Sequence, residues 1–373
     1  MRDRTRVLVV TTALVPDQLC TWQSASELDS IDLHIAGSLE PDVSESYLAP
    51  LARPTWGVVH ELAATGLVRR GRLWWRLAGL ETLIHRLRPD VVHVHSEVWG
   101  LLVSQALRAG SPVVAHGAEN ESLIHGGWAE GRARQAVARR NSAKLAGYAS
   151  WNRAGIDLMR RNGLALAAPT AVAPAIVPDP APYLAAHPVM RPASGLRVGY
   201  VGRLVPEKGV QWLIAALAGI EDATLVVIGS GPHEAKLQRQ ARRQGVAAEW
   251  HGEVSAEEMP AAYALLDILV VPSVARPGWS EQFGRVVCEA MLSGVPVVAS
   301  DSGALLEVVG DAGAMVRELD HQGLHATLRR LAEDPAERRL LGVRGRAWAQ
   351  SDLAPDAAAG RLGALWRSVA LAS

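Results

Sequence analysis

The chain has 373 residues, enough for two or three domains with sizeable cores. Its 38 Lys and Arg balance 38 Asp and Glu, which disfavours a nucleic-acid binder relying on a basic surface, and 49% apolar against 20% charged residues excludes a disordered chain. Cys20 and Cys288 form no C-x-x-C pair, so neither a disulfide framework nor a zinc ribbon is expected, and a reducing compartment fits.

In chain order, short apolar runs alternate with amphipathic stretches. Strands are predicted at 6–11, 31–36, 89–95 and 111–116, with helical patterns at 73–86 and 100–109. The scheme then repeats, with strands at 196–201, 223–228, 249–251, 268–271 and 296–300 and helices at 210–218, 234–244, 259–266 and 284–293. Strands alternating with helices imply parallel sheets covered on both faces. The stretch 182–195, with Pro182, Pro188, Pro192 and Gly195, reads as a linker. The expected fold is α/β, with one doubly wound Rossmann-like domain at 1–190 and a second at 191–354. An Ala-rich helix at 355–373, carrying Trp366, is expected to pack back on the first. No apolar run reaches the ~18 residues that span a bilayer, and the run at 7–10 is too short for a signal-peptide core. A cytoplasmic protein, monomeric or a homodimer, is expected.

The segment from Glu281 to Glu289 (EQFGRVVCE) sets two glutamates eight residues apart. Glu281 and Gln282 are expected in a loop, with Gly284 opening a helix and Glu289 pointing back from within it. A helix N-terminus then lies between the two carboxylates, and its free N–H groups and positive dipole end suit phosphate. The carboxylates repel phosphate and suit hydroxyls. Phosphate at the centre with hydroxyls on both sides describes a sugar nucleotide. Taken alone, two solvent-facing glutamates on an ordinary helix would give the same spacing.

A second segment, VGRLVPEKG (201–209), is a strand end followed by a Gly-containing loop with two cations, Arg203 and Lys208. Such loops hold ligands in doubly wound sheets, and both cations can reach a diphosphate. Lys208 is one of only three lysines, with Lys144 and Lys236.

With VIGSGP (227–232), HGEVSAEEMPAAYALLDILVVPS (251–273) and the run from Glu281 to Val316, these motifs follow in order over most of 196–316. The chain here resembles the family-4 glycosyltransferases, retaining enzymes of the GT-B fold, whose two Rossmann-like domains face each other across a cleft. Its one phenylalanine, Phe283, fills the family's E-x-F-G position. The resemblance implies that Arg203 and Lys208, beside Gly202, hold the diphosphate of the donor and stabilise the leaving nucleotide. It implies that Glu289 contacts the ribose and Glu281 the transferred sugar. Backbone around Gln282, Phe283, Gly284 and Arg285 would touch sugar and phosphate, and Glu253, Val254 and Ser255 would lie beside the base. The donor would be UDP- or GDP-linked and no metal is expected, in keeping with the absence of a D-x-D triplet.

The first half matches more loosely, through PDVVHVHS (89–96) and SPVVAHGAEN (111–120). Many relatives have a glycine-rich loop after the first strand; here 11–17 has no glycine. The resemblance places a functional residue near the end of the strand at 111–116, where His116, Glu119 or neither would face the reacting sugar; the alternative for His116 is a strand-end histidine bonded to backbone. His93 and His95 are expected on opposite faces of their strand. The segment 68–76 mixes Arg69, Arg70, Arg72 and Arg76 with Trp74 and Trp75. It reads either as a peripheral contact with the inner membrane face or a lipid-linked acceptor, or as an amphipathic helix with packed tryptophans.

The resulting reading is sugar transfer from a nucleoside-diphosphate sugar to an acceptor hydroxyl on a glycan, glycolipid or secondary metabolite. The alternatives are a GT-B sugar-nucleotide epimerase and a non-catalytic nucleotide-sugar-binding partner subunit. A nicotinamide oxidoreductase is disfavoured, since no G-x-G-x-x-G follows an early strand.

Overall fold

The computed structural model describes residues 4–13, 16–38, 54–66, 75–118, 128–164, 168–186 and 195–372. They fall into two compact units, one of Met1–Val177 with Pro355–Ser373, the other of Pro178–Ala354.

The first unit is built on β1 (Thr5–Ala13), β2 (Ile31–Ser38), β3 (Val58–Glu61), β6 (Val91–His95), β7 (Val113–Gly117), β8 (Gly147–Ser150) and β9 (Thr170–Val172). These pair in parallel in the order β3-β2-β1-β6-β7-β8-β9. β4 (Ala64–Gly66) and β5 (Trp75–Leu77) form a separate antiparallel ribbon. Successive strand residues alternate between faces. Leu8, Val10, Val92 and Val94 pack with Leu80 and Ile84 of α2 (Leu80–Leu87) and Leu102 and Val103 of α3 (Leu101–Arg108). Val7, Val9 and Val91 pack on the other face with Trp22 of α1 (Pro16–Ser26) and with Leu362 and Trp366 of α14 (Pro355–Ala372). α4 (Trp128–Ser142) and α5 (Arg153–Arg161) lead into and out of β8.

The second unit repeats the principle with β10 (Leu196–Val201), β11 (Ala223–Ile228), β12 (Ala247–Trp250), β13 (Ile268–Val271), β14 (Val297–Ser300) and β15 (Ala314–Val316). All are parallel, in the order β12-β11-β10-β13-β14-β15. Its helices are α6 (Pro180–Ala185), α7 (Val210–Leu217), α8 (Glu234–Arg243), α9 (Met259–Tyr263), α10 (Arg285–Leu292), α11 (Leu305–Val309), α12 (His321–Glu333) and α13 (Pro335–Trp348). The order of winding reverses at β1/β6 in one sheet and at β10/β13 in the other. Ligands of doubly wound sheets bind beyond the strand carboxyl ends at such reversals.

Three expectations are corrected. The joint falls at Val177/Pro178 rather than near 190. The reason is α6, which packs on α10 and accepts a hydrogen bond from Arg346 Nη2 at the Leu184 carbonyl (2.5 Å), so it belongs to the second unit. The helix expected at 73–86 is interrupted by Gly79 at φ 77°, a left-handed conformation that separates strand β5 from helix α2. Trp75–Leu77 is therefore extended; the rest of the Trp- and Arg-rich segment, through Trp74, lies outside the described residues. His93 and His95 share one face, as residues two apart in a strand must, and both rings lie within about 6 Å of the Trp22 ring, at 5.3 and 6.0 Å. Among the described residues no helix is long and apolar enough to cross a membrane.

Candidate functional site

At the β10/β13 reversal the loops following the two strands are stitched together. β10 leads into Gly202 and Arg203; the chain then makes a 3₁₀ turn at Pro206–Lys208 and enters α7 through Gly209. Gly209 has φ 73°, and a Cβ there would run into the Pro272 carbonyl after β13, so only glycine lets the loops meet. Val274 N donates to Glu207 O (2.8 Å) across the same seam. The loop after β11 joins from the other side, with Gly202 N donating to Ile228 O (2.9 Å) and Leu204 N to Ser230 O (2.7 Å).

Lys208 and Glu281 meet here. Lys208 Nζ donates to Glu281 Oε2 at 2.6 Å, and Ser273 Oγ donates to the same oxygen at 3.0 Å. Their side chains are only 20% and 11% exposed, so losing either leaves a largely desolvated charge. The Lys208 ammonium also lies 4.9 Å from the Trp279 ring centre. Trp279 closes a tight Arg276–Trp279 turn, with Arg276 N bonded to Trp279 O at 2.8 Å and Trp279 N to Arg276 O at 2.9 Å. Ala304 N holds the Glu281 carbonyl (2.8 Å), so the backbone of the glutamate is fixed as well as its carboxylate.

The chain then turns through buried Phe283 and Gly284 (φ 73°) into α10. A Cβ on Gly284 would lie 2.8 Å from Leu305 Cδ2. In the first turn of α10 Val287 N donates to Gly284 O (2.8 Å), and the N–H groups before it lie too early in the helix for an intrahelical acceptor. One α-helical turn in, Glu289 is buried at 4% exposure and points back toward the helix start, where Arg285 Nε reaches its Oε1 at 2.9 Å. Tyr263 OH donates to its Oε2 at 2.8 Å. Burial and the Glu289 carboxylate hold the Tyr263 phenol well above its ordinary pKa.

Arg203 is exposed, and its side chain has no hydrogen-bonded or ion-paired partner among the described residues. Glu253 accepts from Ser230 Oγ (2.5 Å), which ties it to the loop after β11; Val254 and Ser255 follow it, with Ser255 bonded to Glu258. Gly202, Arg203, Lys208, Glu253, Glu281, Phe283, Gly284 and Glu289 thus all belong to the second unit. Sequence reasoning missed Ser273, Trp279 and Tyr263 as partners. Ser273 was within reach, as it ends the apolar run of β13; Tyr263 lies 26 residues from Glu289, and no local pattern links them.

The first unit departs from expectation. Glu119 lies outside the described residues. His116 is a core residue, 1% exposed, and both ring nitrogens are engaged. Trp366 Nε1 donates to His93 Nδ1 (3.0 Å), His93 Nε2 lies 3.0 Å from His116 Nδ1, and His116 Nε2 lies 2.7 Å from Ala173 O. An indole only donates and a carbonyl only accepts. The two ends therefore fix the direction: both rings are neutral and each donates from Nε2. Burial pushes both imidazole pKa values well below normal, in agreement. A histidine so committed has no free nitrogen to offer a sugar.

Residues 195–334 match the family Glycosyl transferases group 1. The chain is 37% identical over 159 residues to a GDP-mannose-dependent phosphatidylinositol monomannoside mannosyltransferase of Mycolicibacterium smegmatis, covering 40% of this chain and 42% of that one. It is 33% identical over 280 residues to a glycogen synthase of Mycobacterium tuberculosis, covering 69% and 64%. The matches thus span less than two thirds of these relatives' lengths. An Anabaena HepE structure in complex with UDP superposes with a TM-score of 0.70 at 19% identity, over 96% of this chain and 98% of that one. The fold is GT-B, two Rossmann-like units.

Proposed function

We propose that this protein is a retaining, metal-independent glycosyltransferase that moves a sugar from a UDP- or GDP-linked donor to an acceptor hydroxyl. The observation that carries the reading is the Lys208–Glu281 pair at the β10/β13 reversal, beside the start of α10. It sets a cation for phosphate next to an acceptor of sugar hydroxyl protons. The second unit's match to a glycosyltransferase family, and relatives named for GDP-mannose and for glycogen synthesis, support it.

In this reading the donor diphosphate takes Lys208 from Glu281, and Arg203 closes on it as a fork. The anomeric C–O bond breaks with its electron pair going to the diphosphate, whose growing charge the two cations stabilise in place. The acceptor oxygen attacks from the same face, and its proton passes to a donor phosphate oxygen. No side-chain nucleophile is needed. Glu281, released from Lys208, accepts hydroxyl protons of the transferred sugar, and Glu289 those of the ribose. The acceptor is assigned to the first unit, without His116.

The test is calorimetric binding of UDP, GDP, dTDP and ADP without added metal, beside the Arg203→Ala/Lys208→Ala double variant. One diphosphate should bind and the variant should lose it. Equal binding by the variant would sink the assignment.

A further inference from the structure

We propose that Tyr263 is a positioning residue for the nucleotide: its hydroxyl fixes Glu289 so that the other carboxylate oxygen can receive the ribose. The inference rests on the donor site proposed above and deepens it.

Arg285 and Tyr263, which both reach Glu289, differ in what a ligand can do to them. Arg285, which reaches Oε1, is 45% exposed on its side chain, whereas Glu289 is 5% exposed. An arriving diol, donating to the same oxygen, can take it over from the more exposed of the two partners. Tyr263, which donates to Oε2 at 2.8 Å, is fully buried at the end of α9. Its ring lies 6.1 Å from that of Tyr183 on α6, so it is packed against a second aromatic ring. Its raised pKa keeps the phenol a donor across any working pH. Fixing one oxygen stops the carboxylate from rotating about its last bond, and the other oxygen stays aimed at the place Arg285 vacates. Without the phenol, Glu289 would lose its direction. The order of events follows: Arg285 swings out, the ribose hydroxyls take Oε1, and the Tyr263 bond persists throughout.

The experiment compares GDP and UDP with their 2′,3′-dideoxy counterparts by calorimetry, on the wild type, Tyr263→Phe and Glu289→Gln. Phe keeps the shape of the buried ring, and thermal unfolding checks the fold. Wild type should lose about tenfold or more in affinity when the ribose hydroxyls are removed. Tyr263→Phe should bind the ribonucleotide about five- to tenfold more weakly and the dideoxynucleotide as wild type does, so its preference for ribose collapses. A merely structural tyrosine would weaken both ligands alike and leave the preference intact; that result, or an unchanged variant, overturns the inference. If Glu289→Gln loses the preference while Tyr263→Phe keeps it, the inference falls and the donor site stands. If wild type binds neither nucleotide, or binds both forms equally, both fall together.

Discussion

The two sheets reverse their winding at β1/β6 and at β10/β13, and they fill these equivalent places in opposite ways. In the second unit the strand ends lead into Lys208, Glu281 and Glu289, charged groups in ion pairs that, in the proposed reading, a ligand takes over. In the first, His93 and His116 are locked between Trp366 and the Ala173 carbonyl, with Trp22 packed against both rings at 5.3 and 6.2 Å. The topology is shared; the chemistry depends on whether polar side chains at the reversal are exchangeable or already satisfied. A polar side chain at a strand end is thus no evidence for function until its partners are known.

The largest effect is expected of Trp366→Ala. It removes a fully buried indole and its hydrogen bond to His93. The first unit should lose about 3–5 kcal/mol, read by thermal unfolding, while nucleotide binding stays as in wild type. A variant that loses nucleotide binding before it unfolds would show that the two reversals are coupled.

The mirror experiment is Lys208→Ala or Glu281→Ala. Transfer should fall about 100-fold with β6 and β7 as protected from hydrogen exchange as before. Near-normal turnover by either variant removes the site.

Acid should separate the units next. His93 and His116 are neutral when folded, with pKa values lowered by burial. Unfolded, they take up protons below about 6.5, so their contribution to stability is full above that pH and is lost as pH falls below it. The slope reaches up to about 3 kcal/mol per pH unit for the pair. In the second unit Arg197 holds Glu249 down to about 2 through a bidentate pair. That contribution is present above the ordinary carboxylate range and is lost only as pH falls toward 2. Hydrogen exchange at pH 7 and pH 5 should therefore show β6 and β7 opening while β10 and β13 hold. Equal loss in both would refute the neutral histidine chain.

The smallest effect is expected of Arg203→Ala. Losing this exposed cation from the diphosphate should weaken nucleotide diphosphate binding about tenfold and leave stability unchanged.

Most of the second unit was legible because its signals are local. Gly209 and Gly284 carry left-handed turns, Lys208 and Glu281 sit at fixed distances from strand ends, and each apolar run of the second half from 196 to 300 became a strand. The first unit was less legible because its determinants are not local. β3 has two exposed and two half-buried residues, and β5 looks helical until Gly79 is seen to break the pattern. His116 reads as a strand-end histidine until a tryptophan 250 residues later, Trp366, is found to anchor its neighbour His93. The Tyr263–Glu289 bond was missed for the same reason: it joins two helices that only the folded sheet brings together.

The return of α14 to the first unit also imposes an order on synthesis. Residues 178–354 can complete their sheet and their Lys208–Glu281 pair as soon as they clear the ribosome. The first sheet, although made earlier, must wait with Val7, Val9 and Trp22 uncovered until Leu362 and Trp366 arrive to cover them. Of these two units the one made earlier is thus covered later, and through that interval its apolar face is open.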